Sequence, residues 1–224
     1  PFKSKLHLYH SYYFNRLEDS EEIVSSLAQT YFKKNFHDEA IELFSLMLKE
    51  KPNDVEILQK CAYCYQCKKD FTTALDLYLR SDIIHPDNLW TLQRIGVCYR
   101  SLKEPEKALE FYTHAEMLSP DDLLISLNIG YCLLELKRYN DALQNFFKIE
   151  YLSSDSRKVW RPIAWCSFVV GKLSQAEKYY NKILESERDG QDWLNMGHVA
   201  LCEGNRKEAL ARYRKSFIAM KDNH

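Results

Sequence analysis

Cysteine is the residue type whose placement comes nearest to chemistry in this chain. Cys61, Cys64 and Cys67 form a C-x2-C-x2-C run, the one metal-like spacing in the sequence. A structural zinc site needs four ligands, usually carried on turns that let them converge. These three fall on one helical segment, and no second Cys or His pair lies nearby, so Cys61 and Cys64 read as small core residues. Cys64, Cys98, Cys132 and Cys166 form a ladder, each 34 residues from the last. Packed helices lie about 8–10 Å apart, whereas a disulfide needs Cα atoms within about 7 Å. The ladder is therefore expected to hold free thiols. Gly171-Lys172-Leu173-Ser174 has the composition of a phosphate loop but lacks the upstream glycine, the Lys-Ser adjacency and a preceding strand. The seven histidines are scattered, with no HExxH and no nucleophile partner. The reading is no catalytic residue, no metal site and no cofactor, hence not an enzyme.

The elements that would carry these residues are helical. Only six glycines and six prolines occur in 224 residues, too few turn formers for a β-rich chain. The length suits one large or two small domains. A hydrophobic share of 46% can supply a core. Lys plus Arg (31) almost balances Asp plus Glu (32), which argues against nucleic acid and against an anionic membrane surface. No apolar run approaches the roughly 20 residues of a membrane span. Seven cysteines, an odd number, without N-x-Ser/Thr sites, lean toward the cytoplasm. The start at Pro1 is consistent with a piece of something longer, so export is not excluded.

A repeat organises the chain. Ala40, Ala74, Ala108, Ala142 and Ala176 recur every 34 residues, and Ala209 follows after 33. Four residues after each stands an aromatic: Phe44, Tyr78, Tyr112, Phe146, Tyr180 and Tyr213. Twelve residues before stand Ala28, Ala62, Gly96, Gly130, Ala164 and Gly197. A small residue lets two helices approach, and an aromatic fills the space around the contact. Each unit is thus two antiparallel helices, and stacking of units completes the core. Asp38, Thr72, Asn140 and Ser174, two residues before the recurring alanine, fall where a second-helix N-cap is expected. Pro52, Pro86 and Pro120 close second helices, and the following Asn53-Asp54, Asp87-Asn88 and Asp121-Asp122 supply caps for the next helix.

This pattern resembles the tetratricopeptide repeat family. The resemblance implies an all-α, right-handed superhelical solenoid of antiparallel helix pairs, with first helices lining a concave groove. The expected organisation is a helical extension over 1–20 and repeats over 21–224: 21–54, 55–88, 89–122, 123–156, 157–189 and 190–223. The closing proline gives way to Ser154 and Arg188. The tyrosine of Tyr31, Tyr65 and Tyr99 gives way to Leu133, Ser167 and Ala200. Pro162 falls inside a first helix, where it removes a hydrogen bond and should kink it. Leu6, Tyr9, Tyr13 and Leu17 have helical spacing, so residues 4–17 are expected to add one helix packed on the first repeat.

The same resemblance implies that inward-facing first-helix residues hold a partner protein or peptide. The first two repeats carry a polar stripe there, including Gln29, Phe32, Gln59 and Tyr63. From the third repeat onward the stripe turns apolar. The expected partner-binding residues are Trp90, Gln93, Arg94, Val97, Leu127, Asn128, Tyr131, Lys158, Arg161, Trp165, Phe168 and His198. Trp90, Tyr131, Trp165 and Phe168 have the character of binding anchors. The alternative is that an internal solenoid helix is apolar on two faces because it has neighbours on two sides. Some family members grip a terminal carboxylate; only Asn128 and Lys158 match that pattern, with Gln93, Val97 and Pro162 at the other positions. Arg94, Arg100 and Arg161 either attract acidic groups or stand as solvated charges. Besides a scaffold, two readings stay open: self-assembly into homo-oligomers through an end or the groove, and the docking arm of a larger enzyme or secretion assembly.

Overall fold

A computed structural model describes residues 20–186 and 189–222. The expected helix over residues 4–17 and the position of Arg188 lie outside the described residues. Twelve α-helices and no strands occur among the described residues. They are α1 (Ser20–Lys33), α2 (His37–Glu50), α3 (Val55–Cys67), α4 (Phe71–Ile84), α5 (Leu89–Ser101), α6 (Pro105–Leu118), α7 (Leu123–Glu135), α8 (Tyr139–Leu152), α9 (Arg157–Val169), α10 (Leu173–Ser186), α11 (Gly190–Cys202) and α12 (Arg206–Asp222). The protein is all-α, and its helices follow one another as antiparallel pairs of a solenoid. It divides between Leu118 and Ser119 into two compact units. The first carries α1 to α6 and the second α7 to α12.

Inside each pair the helices are held by the residues the periodicity singles out. A β-carbon added to Gly96 would stand 2.6 Å from the Tyr112 ring, and one added to Gly130 would stand 2.5 Å from the Phe146 ring. Such distances lie inside van der Waals contact, so the aromatic rests directly on the glycine backbone. Ala28, Ala62 and Ala164 take the same place in other repeats and are fully buried, as are their aromatics Phe44, Tyr78 and Tyr180. Pro162 is buried within α9, and that helix runs unbroken from Arg157 to Val169.

One turn closes all six pairs. Asn35, Lys69, Lys103, Lys137, Gly171 and Gly204 adopt left-handed φ values between 58° and 81°. The next residue donates its N–H back across the turn: Asp70 to the Tyr65 carbonyl at 3.0 Å, Arg138 to Leu133 at 2.8 Å, Asn205 to Ala200 at 2.9 Å. This is a Schellman closure, which satisfies carbonyls at the helix end. It uses backbone only, so replacing the repeat tyrosine by Leu133, Ser167 or Ala200 leaves the turn intact.

The turn also corrects the expected caps. Asp38, Thr72, Asn140 and Ser174 are the second residues of their helices, not caps. The left-handed residue is followed at once by the cap, so each second helix starts two residues earlier than expected. Asp70 caps α4 by accepting from Thr73 N at 3.1 Å, while Phe36 and Arg138 hold the same position without a side-chain bond. Between repeats the expected caps are present. Asp54 accepts from Ile57 N at 3.1 Å, Asn88 from Thr91 N at 3.0 Å and Asp122 from Leu124 N at 2.8 Å.

Candidate functional site

In the first unit, three successive first helices bring rings together. Phe32 of α1 meets Tyr63 of α3 edge-on with centroids 5.7 Å apart, and Tyr63 meets Trp90 of α5 at 6.4 Å. Buried Tyr78 supports Trp90 from beneath at 5.7 Å and donates its hydroxyl to Gln66 Oε1 at 3.1 Å. Gln59 donates to Thr91 Oγ1 at 2.8 Å, tying α3 to α5. The Arg94 guanidinium lies 5.3 Å over the Tyr63 ring and 5.2 Å over the Trp90 ring, within cation–π range. A hydrogen bond with Cys67, and then that thiol's charge, hold the Tyr63 hydroxyl above its ordinary range. Trp90 remains 38% exposed, while Gln93, Arg94 and Val97 are half-buried. A cleft of about 1330 Å³ opens separately between α1, α2 and α3, with Val24, Phe44, Met47 and Ile57 in its walls.

The second unit presents a different face. Tyr131 of α7 meets Phe146 edge-on at 5.7 Å, and Trp165 meets Phe168 within α9 at 5.9 Å. Trp165 is 38% exposed; Leu127, Tyr131 and Phe168 are half-buried. Lys158 is exposed, and Asn128 donates to the Leu124 carbonyl of its own helix at 3.0 Å. Arg161 is neither a free cation nor merely solvated. It donates to Asp192 of α11 through Nε at 3.1 Å and through a terminal nitrogen at 2.9 Å, and the Asp192 side chain is 4% exposed. His198 Nδ1 shares a hydrogen bond with the Tyr213 hydroxyl at 2.9 Å. Deeper in this unit, Arg212 donates to Glu177, Glu208 and the Met196 carbonyl, clasping α12 to α10 and α11.

Cys61, Cys64, Cys98, Cys132 and Cys166 are buried, whereas Cys67 and Cys202 are exposed. Burial pushes the Cys64 and Cys98 thiols up to about 12 and those of Cys61 and Cys166 up to about 11. Such groups stay protonated near neutrality and are poor nucleophiles and poor metal ligands. Among the described residues no group of three His, Cys, Asp or Glu side chains is placed to hold a metal ion.

Residues 91–122, covering most of α5 and all of α6, match the family model described as tetratricopeptide repeat. Solved structures of such repeats share the fold over most of the chain. A tetratricopeptide repeat protein from Parabacteroides merdae superposes with a TM-score of 0.74 at 21% identity, covering 88% of this chain and 79% of its own. The chain has the fold of the tetratricopeptide-repeat proteins. YrrB, described as a TPR protein with an unusual peptide-binding site, gives a TM-score of 0.69 at 17% identity over 82% of this chain and 95% of its own. MamA gives 0.65 at 18% identity over 71% and 94%. At these identities the likeness speaks for the fold alone. No curated protein matches the chain.

Within the tetratricopeptide frame, the structure draws Trp90 and Arg94 together in the first unit and couples Arg161 to Asp192 in the second. Phe32 and Tyr63 join the first of these clusters. They stood on a stripe read as polar, and the binding set omitted them. The signal was present in the sequence, because Tyr63, Val97, Tyr131 and Trp165 share one repeat position.

Proposed function

We propose that this tetratricopeptide-repeat chain is a protein–protein interaction scaffold that holds a polypeptide segment against its first-helix faces. The observation that carries the reading is the exposure of large rings there. Trp90 and Trp165 are each 38% exposed although their helices are packed on both neighbours within the unit. Aromatic anchors of this kind dominate binding energy in protein interfaces. The peptide-binding site named for YrrB supports the reading by analogy of fold. The binding set is Trp90, Gln93, Arg94 and Val97 in the first unit, and Leu127, Asn128, Tyr131, Lys158, Trp165 and Phe168 in the second. Arg161 and His198 frame the second face. Their polar atoms are engaged within the protein. We assign no catalysis, cofactor or metal to the chain. The cysteine pattern favours the cytoplasm, and among the described residues no helix is long and apolar enough to cross a membrane.

The test is capture of partners by the intact chain followed by mass spectrometry, repeated with Trp165→Ala/Phe168→Ala. The double variant should lose about 2 kcal/mol or more of partner affinity and alter folding much less than a core substitution does. Ala108→Leu, at a fully buried helix contact, should instead destabilise by about 1–3 kcal/mol through overpacking. Equal capture by the double variant and the parent would remove the second face from the site. Self-assembly is a second reading, favoured by one observation: α12 leaves Leu210, Phe217 and Ile218 exposed. A concentration series of solution masses separates the two, because only self-assembly raises the mass of the chain alone.

A further inference from the structure

Arginines in this protein generally hold an acceptor. Arg138, Arg157, Arg161 and Arg212 each pair with a carboxylate, and Arg80 donates to the Pro52 carbonyl at 2.9 Å. Arg94 is the exception that faces the proposed binding surface. It is half-buried, its guanidinium lies over the Tyr63 and Trp90 rings within cation–π range, and no acceptor among the described residues lies within hydrogen-bond reach of it. The five N–H donors point outward in the guanidinium plane, so ring contact leaves them available. Two rings also fix the orientation of the fork, which lowers the ordering entropy lost when an anion docks. Partly desolvated polar groups are normally satisfied, and a planar cationic fork is matched by a carboxylate bound through both oxygens.

We propose that the face of the first unit selects polypeptide segments with a side-chain carboxylate beside an apolar residue. The carboxylate sits on the edge of Arg94, and the apolar side chain lies on Trp90, Tyr63 and Phe32. This rests on the reading of the first-helix faces as the binding surface and adds the chemistry of the segment. Arg94 bridges the second and third rings of the row, so it stands within the row and the chain continues past the carboxylate. The complementary choice holds for the second unit. There Asp192 already occupies the arginine, so Trp165, Phe168 and Tyr131 favour uncharged segments.

The experiment is selection from a random dodecapeptide library fused through its C-terminal end to a display protein, so that only side chains supply carboxylates. A parallel library presents free C-termini. The intact chain should enrich Asp or Glu next to an aromatic or aliphatic residue in the first library. Arg94→Gln, with an unfolding midpoint lowered only slightly, should lose the acidic preference and keep other selected peptides. For a capped synthetic peptide of the selected sequence, Glu→Gln should weaken binding by about tenfold or more. The same change should have little effect against Arg94→Gln, as expected when the two groups touch. Arg94→Lys, which keeps charge but not the fork, should fall between. Enriched peptides without an acidic preference, or the same preference with Arg94→Gln, would overturn the inference while leaving the scaffold reading intact. Acidic enrichment confined to the free C-terminus library would assign Arg94 to chain ends and overturn the side-chain proposal. No enrichment in either library would overturn both.

Discussion

Arg94 in the first unit and Arg161 in the second occupy neighbouring repeat positions on first helices, yet the fold employs them differently. The deciding residue lies one helix pair away. Opposite Arg161 stands Asp192, in the repeat position held elsewhere by Ile57, Thr91, Ile125 and Val159, all buried. A carboxylate there requires a cation, and Arg161 is drawn into a structural clasp between α9 and α11. Arg94 lies over the rings of Tyr63 and Trp90, which orient it without neutralising it. Charge on the proposed binding face is thus set by what the adjacent helix buries.

The largest effect expected from breaking this contrast is on stability. Arg161→Ala strands the buried Asp192 carboxylate and should lower the stability of the second unit by about 2 kcal/mol, since the arginine itself is half-exposed. Arg94→Ala removes only ring stacking and should lower that of the first unit by about 0.5–1 kcal/mol. Denaturant titrations of both variants decide the point. Equal losses would show that the two arginines play the same role.

A smaller effect of opposite sign is expected at the turns, alike in both units. Lys103 in the first unit and Lys137 in the second hold φ values of 66° and 60°, where Gly171 and Gly204 serve other repeats. A β-carbon there is strained by about 1–2 kcal/mol. Glycine relieves this but frees the unfolded chain. Lys103→Gly and Lys137→Gly should each stabilise by a net of about 0.5–1 kcal/mol, read as a raised unfolding midpoint. A lower midpoint would mean that the lysine side chains make contacts worth more than the strain.

The mildest probe is thiol chemistry. Each unit carries one exposed cysteine, Cys67 in the first and Cys202 in the second. Alkylation of the folded chain near neutral pH should label these two and spare the buried five until unfolding. For Cys61, Cys64, Cys98 and Cys166 the folded value is raised from 9.0 to between about 11 and about 12. Folding favours their protonated form, so the contribution is fully present below pH 9 and declines as pH rises toward 12. A stability that rises over that range would contradict their burial.

The periodicity made the helices, the pairing and the close contacts legible, because Gly96, Gly130 and the recurring alanines must lie where two helices touch. The caps were misread for a physical reason. Lysine and asparagine at Lys69, Lys103, Lys137 and Asn35 do not announce a left-handed turn as glycine would, so the starts of α2, α4, α6 and α8 could not be set from residue types. The candidate face was legible residue by residue but not in its partnerships. That Trp90 and Arg94 share a first helix follows from spacing alone. Stacking of Arg94 on Tyr63, and capture of Arg161 by Asp192, depend on how successive first helices stand side by side, which one repeat does not reveal. A hint was available for the second: an acid at a position otherwise apolar or small asks for a buried partner.

The central claim is that first helices, not second helices, meet the partner. Hydrogen exchange of the intact chain, alone and with a captured peptide, tests it most directly. The account expects added protection in α3, α5, α7 and α9, with the helices α4, α6, α8 and α10 unchanged. Protection confined to those second helices would contradict it.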